Sequence, residues 1–176
     1  MGLDRRLIIS KAEEYFEIAS EERYQKEEPN QLQRLPTAFE NGTWDWEDLE
    51  WIVRWKSPRP IKHFQSNDRD TVDDLIAKVV EAGSTQRKLD LLTDLSGVRV
   101  KMASAFLLFM DPKRYTVIDS RAGSVLTREG YIPSNPDDPS IEEYINYLDV
   151  CRGLADEYEV ELRTLDRALW VLGGSN

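Results

Sequence analysis

Leu95-Ser96-Gly97-Val98-Arg99-Val100-Lys101-Met102-Ala103-Ser104-Ala105-Phe106-Leu107-Leu108-Phe109-Met110-Asp111-Pro112 is the stretch that decides the fold, together with Tyr115-Thr116-Val117-Ile118-Asp119-Ser120-Arg121 that follows it. A tight turn at Gly97-Val98 opens an apolar helix over 100–110. Asp111-Pro112 ends that helix, because proline has no N–H with which to continue the ladder. A short extended run over 115–118 leads to Asp119, which sits where the next helix begins, over about 120–128, with Gly130 closing it. Upstream, a short helix over 85–94 enters the turn. The whole is a helical hairpin, then a lone carboxylate 18 positions beyond Lys101.

Outward from this segment the pattern stays helical. Residues 4–26 read as one helix with Leu7, Ile8, Tyr15, Ile18 and Ala19 on a face, ended by Glu28-Pro29-Asn30. Residues 29–42 read as a polar connection. Thr43 is a candidate N-cap for a helix over 44–56, which Ser57-Pro58-Arg59-Pro60 ends. Thr71 with Asp74 suggests a capping box for a helix carrying the stripe Val72, Leu75, Ile76, Val79 and Val80, with Gly83 at its end. Pro133–Pro139 is a surface loop. Ser140 with Glu143 is a second capping box, opening a helix over 141–155, and a last helix is expected over 164–172, ending at Gly173-Gly174, with Asp166 and Arg167 as salt-bridge partners. Tyr115–Ile118 and Tyr158–Leu162 are the two strand candidates. The expected fold class is all-α, a single domain over residues 1–176.

Composition narrows the function. No apolar run reaches the roughly 20 residues of a membrane span, and Met-Gly-Leu-Asp-Arg-Arg carries no signal-peptide core. With only Cys151 and His63 in 176 residues, neither an internal disulfide, a Cys/His zinc site nor a four-cysteine iron–sulfur cluster is possible within the chain. A reducing cytoplasm is the expected compartment, with no metal and no membrane. The net charge is −10, yet residues 54–128 hold 14 Lys and Arg against 9 Asp and Glu, while the rest hold 9 against 24. The hairpin lies in the basic segment, and local potential governs docking to a polyanion.

The order Leu-x-Gly-Val-x-x-Lys-x-Ala followed by Asp, carried by Leu95, Gly97, Val98, Lys101, Ala103 and Asp119, resembles the helix-hairpin-helix DNA glycosylase superfamily. The resemblance covers about residues 85–128. It implies two helical lobes with the hairpin at the cleft between them, and a monomer that excises a damaged or modified base from DNA. Ser96, Gly97, Val98 and Arg99 would then face a DNA phosphate, with Arg121, Lys113 and Arg114 along the backbone. Asp119 would stabilise the cationic sugar as the base departs, ionised with the help of the helix N-terminus. Lys101 would be the amine nucleophile of a Schiff-base lyase step in a bifunctional enzyme, or a phosphate partner in a monofunctional one. Relatives need no organic cofactor and often hold a monovalent cation on hairpin carbonyls. Trp51 and Trp55, a turn apart, and His63 are candidates for the base pocket, with core packing the ordinary alternative for the tryptophans and a surface or satisfied position for the histidine. The chain departs from the family at Arg99, where a second glycine is usual. If that position required positive φ, Arg99 would be strained by about 1–2 kcal/mol. That departure and the acidic total charge point to the alternative, a catalytically silent DNA-binding or protein-interaction module on the same fold.

Overall fold

The computed structural model describes residues 2–19 and 22–174. Among these residues every regular element is helical: α1 Arg5–Ile18, α2 Arg23–Asn41, α3 Trp46–Lys56, α4 Ile61–Gln65, α5 Arg69–Glu81, α6 Thr85–Thr93, α7 Val100–Met110, α8 Ser120–Arg128, α9 Ile141–Glu157 and α10 Leu162–Gly174. No helix among them is long and apolar enough to cross a membrane.

The hairpin's second helix, α7, is the centre of the molecule. Met102 through Phe109 are all buried, as expected of a helix that is apolar all round. α2, α3 and α6 pack against it, α5 packs on α6, and α10 runs against α1, α8 and α9. One apolar cluster joins nearly all of these elements, and Tyr15, Ala19 and Val171 form a small satellite of it.

Two expectations fail at the N-terminal side. The helix expected over 4–26 is two helices, and the connection expected over 29–42 is most of α2, which carries Pro29 and Pro36 inside it. Each interior proline removes a ladder bond and works against the helix by about 3 kcal/mol. Tertiary anchoring offsets this: Leu35, Ala38 and Phe39 pack in the core, and Glu28 is fully buried among arginines. Pro29 itself faces outward. Local propensity yields to burial, as it commonly does.

Elsewhere the corrections are at caps. Asp45, not Thr43, caps α3 in a capping box with Asp48. Asp68, not Thr71, caps α5, its carboxylate accepting the Thr71 N–H at 3.0 Å. The five-residue α4 lies in what read as a proline-broken loop. The Ser140–Glu143 capping box forms, though α9 runs on to Glu157. Neither strand candidate pairs. Residues 115–118 are extended but held by side chains: the Tyr144 hydroxyl donates to the Thr116 carbonyl at 2.8 Å, the Tyr147 hydroxyl to the Val117 carbonyl at 3.4 Å, and the Ile118 N–H to Ser104 Oγ at 3.1 Å. Residues 158–161 turn, with Glu159 at φ 52°, and Leu162 already begins α10. α10 also runs through Gly173 and Gly174 instead of stopping before them.

Candidate active site

The hairpin forms between α6 and α7. Gly97 has φ 81°, and a Cβ there would meet the Phe64 backbone nitrogen at 2.8 Å and the Pro60 carbonyl oxygen at 3.0 Å. Glycine is required both for the left-handed turn and for the close approach of α4. Asn67 fastens the turn: its Oδ1 accepts the Ser96 N–H at 3.0 Å and its Nδ2 donates to the Ser96 carbonyl at 2.9 Å. The Ser96 N–H is therefore committed to the protein. Val98 is buried in the core. Arg99 adopts φ −96° and ψ 178°, ordinary extended backbone, so the strain considered for this position does not arise. It is the N-cap of α7 without a side-chain cap bond, which leaves the first-turn N–H groups of α7 uncapped. Its guanidinium reaches out to Asp138 at 2.9 Å, both side chains largely exposed.

Asp119 is the N-cap of α8, as expected. Its Oδ1 accepts the Arg121 N–H at 2.9 Å. Its Oδ2 is bonded not by Lys101 but by Lys56 at the end of α3, at 3.1 Å. The side chains of Lys56 and Asp119 are 13% and 25% exposed, so this pair is shielded from solvent far more than an ordinary surface bridge. Burial pushes the Asp119 carboxyl up, but the Lys56 charge, the Arg121 N–H and the Lys56 hydrogen bond outweigh it and hold the group below the usual aspartate range. Lys101 is half-buried and donates to Ser120 Oγ at 2.8 Å, next to Asp119 along the chain but not on it.

A cavity of about 130 Å³ opens beside Asp119 and Lys56, with Tyr15, Trp55 and Trp170 as its aromatic lining and Gln25, Arg163 and Asp166 as polar lining. Behind it lies a buried charge network. Arg163 donates to Glu28 (2.9 and 2.7 Å), to the Tyr15 hydroxyl (3.2 Å) and to Asp166. Arg167 also donates to Glu28, at 2.6 Å. Asp166 and Arg167 are thus both in ion pairs, but not with each other. Burial pushes the Glu28 carboxyl up, and Arg163 and Arg167 more than reverse this, holding it at about 2. For Asp166 burial wins: despite Arg163, and with the Asp119 charge adding to the rise, the group is pushed up to about 6. Gln25 Oε1 is buried with no hydrogen-bond partner among the described residues, a situation that costs about 1–3 kcal/mol for a neutral polar group.

Of the pocket candidates only Trp55 lines the cavity, its indole N–H on Glu28 Oε2 at 3.2 Å. Trp51 is core, edge-on to Phe109 with its indole N–H on Glu27 at 2.6 Å. His63 is exposed on α4, beneath the hairpin and away from the cavity. Arg121 is exposed beside Asp119, its guanidinium 4.2 Å above the Trp170 ring. Lys113 and Arg114 do not line the Asp119 cavity; with Arg152 they line a separate groove of about 890 Å³. Sequence reasoning missed Lys56, Glu28 and Arg163. Lys56 carried one usable signal, a lysine in the last turn of a tryptophan-rich helix just before a proline break. No family model matches this chain, and no curated protein or solved structure matches it either.

Proposed function

We propose that the chain is a DNA N-glycosylase of the helix-hairpin-helix type, with the Asp119 cavity as the base pocket between two helical lobes. The observation that carries this reading is Asp119 itself: an ionised, half-buried carboxylate at a helix N-cap, opening on an aromatic-lined cavity, one helix away from an uncapped hairpin. In this reading a DNA phosphate docks on the first-turn N–H groups of α7, where the helix dipole favours an anion. Arg99 and Arg121 add phosphate contacts. The target nucleotide leaves the stack, its base entering between Trp55, Tyr15 and Trp170. Its sugar then lies against Asp119, whose negative charge stabilises the oxocarbenium character that develops as the glycosidic bond breaks, and whose free lone pairs orient water. A monovalent cation on the hairpin fits the carbonyls of Leu95 and Ser96, each of which accepts one protein hydrogen bond and retains a second lone pair. It would supply positive charge toward a DNA phosphate, and no step of the chemistry passes through it.

Asp119→Asn tests the reading on duplexes each carrying one oxidised, deaminated, alkylated or enzymatically modified base. The expected result is excision from at least one duplex by the wild type and a loss of about 10²-fold or more in the variant. Lys101 decides whether a lyase step follows. If it attacks C1′, borohydride traps a covalent protein–DNA adduct that Lys101→Met abolishes. Base release that persists in that variant without an adduct marks a monofunctional enzyme using water.

The second reading, a catalytically silent DNA-binding or protein-interaction module, draws on a specific feature. Both Asp119 oxygens are already bonded, one by Lys56 and one by the Arg121 N–H. A duplex that binds but loses no base in any of these assays would favour it.

A further inference from the structure

Among the described residues, Gln25 is the one lining the Asp119 cavity whose buried polar atom has no hydrogen-bond partner. It lies on α2, one helical turn before Glu28, and residues three apart share a helix face. The bonds from Arg163 and Arg167 to Glu28 fix that face in place. Four potential donors that line the cavity with Gln25 are engaged elsewhere. The Tyr15 hydroxyl donates to Glu28 at 2.9 Å, the Trp55 indole to Glu28, the Arg163 guanidinium to Glu28 and Asp166, and Lys56 to Asp119. The polar lining offered to an occupant is rich in acceptors: Gln25 Oε1 and the carboxylates of Glu22, Asp119 and Asp166. An exocyclic amino group, with two N–H donors and no flanking oxygen, suits such a wall. A lactam or imide edge, in which the ring N–H stands beside one or two carbonyl oxygens, sets acceptor against acceptor.

Resting on the glycosylase reading for the identity of the occupant as a base, we propose that Gln25 is the specificity-determining residue of the cavity. Its Oε1 accepts an N–H from the exocyclic amino group of the bound base, so the site takes amino-bearing bases ahead of their deaminated counterparts, which carry a carbonyl in its place. The chemical class is then an alkylated or otherwise modified base that keeps its amino group, and deaminated lesions are disfavoured. Discrimination of this kind arises because the wrong ligand leaves the buried acceptor unpaired.

Adenine and hypoxanthine share a ring system and differ in the amino group of one and the lactam N–H and carbonyl of the other, so they serve as the probes. Their binding to the full chain, read by ligand-detected NMR and by fluorescence of the cavity tryptophans, is expected to favour adenine by about tenfold, the factor that one neutral hydrogen bond supports. Gln25→Leu is expected to abolish the preference. Gln25→Glu keeps an acceptor at the same place and is expected to preserve it. Equal binding of the two bases by the wild type overturns the proposal. So does a preference that survives in Gln25→Leu, or the absence of binding by either base. Unchanged binding of both bases in Gln25→Leu also overturns it, a trapped water then satisfying the amide, since a cavity of this size has room for one. Failure of the glycosylase reading is separate and recognisable: no duplex loses a base, while free adenine still binds in preference and still depends on Gln25.

Discussion

α7 and the Asp119 cavity are neighbours built on opposite principles. α7 is held almost wholly by apolar side chains from Met102 to Phe109, Ser104 being the one polar residue of the span, with Phe106 and Phe109 fully enclosed. The wall behind the cavity is held by charge: Glu28, Arg163, Asp166 and Arg167, with the Tyr15 hydroxyl and the Trp55 indole completing the bonds. Apolar packing tolerates any pH and positions nothing chemically. A buried charge network is costly to assemble and to disturb, but it orients polar groups around a cavity and fixes their ionisation. On the proposed reading, the contrast separates where stability is kept from where the chemistry is done.

The largest predicted effects test this contrast directly. Glu28→Ala leaves Arg163 and Arg167 without their shared carboxylate and is expected to destabilise the fold by about 3–5 kcal/mol in urea unfolding at neutral pH. Phe106→Ala is expected to cost a similar amount, about 3–5 kcal/mol, through the cavity it opens. The two separate in acid. Glu28 has its folded-state pKa depressed to about 2 from an ordinary 4.5, so its contribution is fully present above pH 4.5 and is lost as pH falls toward 2. The penalty of Glu28→Ala should therefore shrink across that window while that of Phe106→Ala persists. Equal pH dependence in the two variants would remove the distinction between the regions.

Next in size is the hairpin. Gly97→Ala forces a Cβ against the Phe64 and Pro60 backbone and a side chain into left-handed φ, a change expected to cost about 1–3 kcal/mol in thermal or urea unfolding. Because the strain sits at the turn, DNA binding should weaken along with stability. An unchanged midpoint would mean that the turn relaxes freely and is not a built docking element.

Arg99→Glu is the mildest. The side chain is exposed and tied only to Asp138, so folding should be unaffected within about 0.5 kcal/mol. Duplex affinity should fall for all sequences alike, and the slope of affinity against salt should shrink by about one phosphate contact. A salt response identical to the wild type would take Arg99 out of the docking face.

The same contrast governs what the sequence discloses. α7, its stop at Asp111-Pro112, the Asp119 cap and the Ser140–Glu143 box all rest on residues within a few positions of one another, and each was readable from periodicity or capping chemistry. The cavity wall was not, because its partners are far apart: Glu28 meets Arg163 across 135 positions and Lys56 meets Asp119 across 63. No local pattern encodes such a pairing. α2 was misread for the same reason, since the contacts that hold Pro29 and Pro36 in a helix come from α7 and α10. Lys101 and Asp119 share a spacing in the sequence, yet the amine that reaches Asp119 belongs to α3. The sequence-level candidates Trp51 and Trp55 divide likewise into a core residue and a cavity residue: Phe109 packs edge-on against both, and they part at their indole partners, Glu27 for Trp51 and Glu28 for Trp55.

The central claim is that Asp119 acts through its charge on a base-excision transition state. Asp119→Asn preserves the α8 cap, since an asparagine oxygen can still accept the Arg121 N–H, so binding and stability can be measured beside the reaction. The account predicts single-turnover excision slowed by about 10²-fold or more on a duplex that the wild type processes, with duplex affinity changed less than about threefold. Excision at the wild-type rate in Asp119→Asn would contradict it.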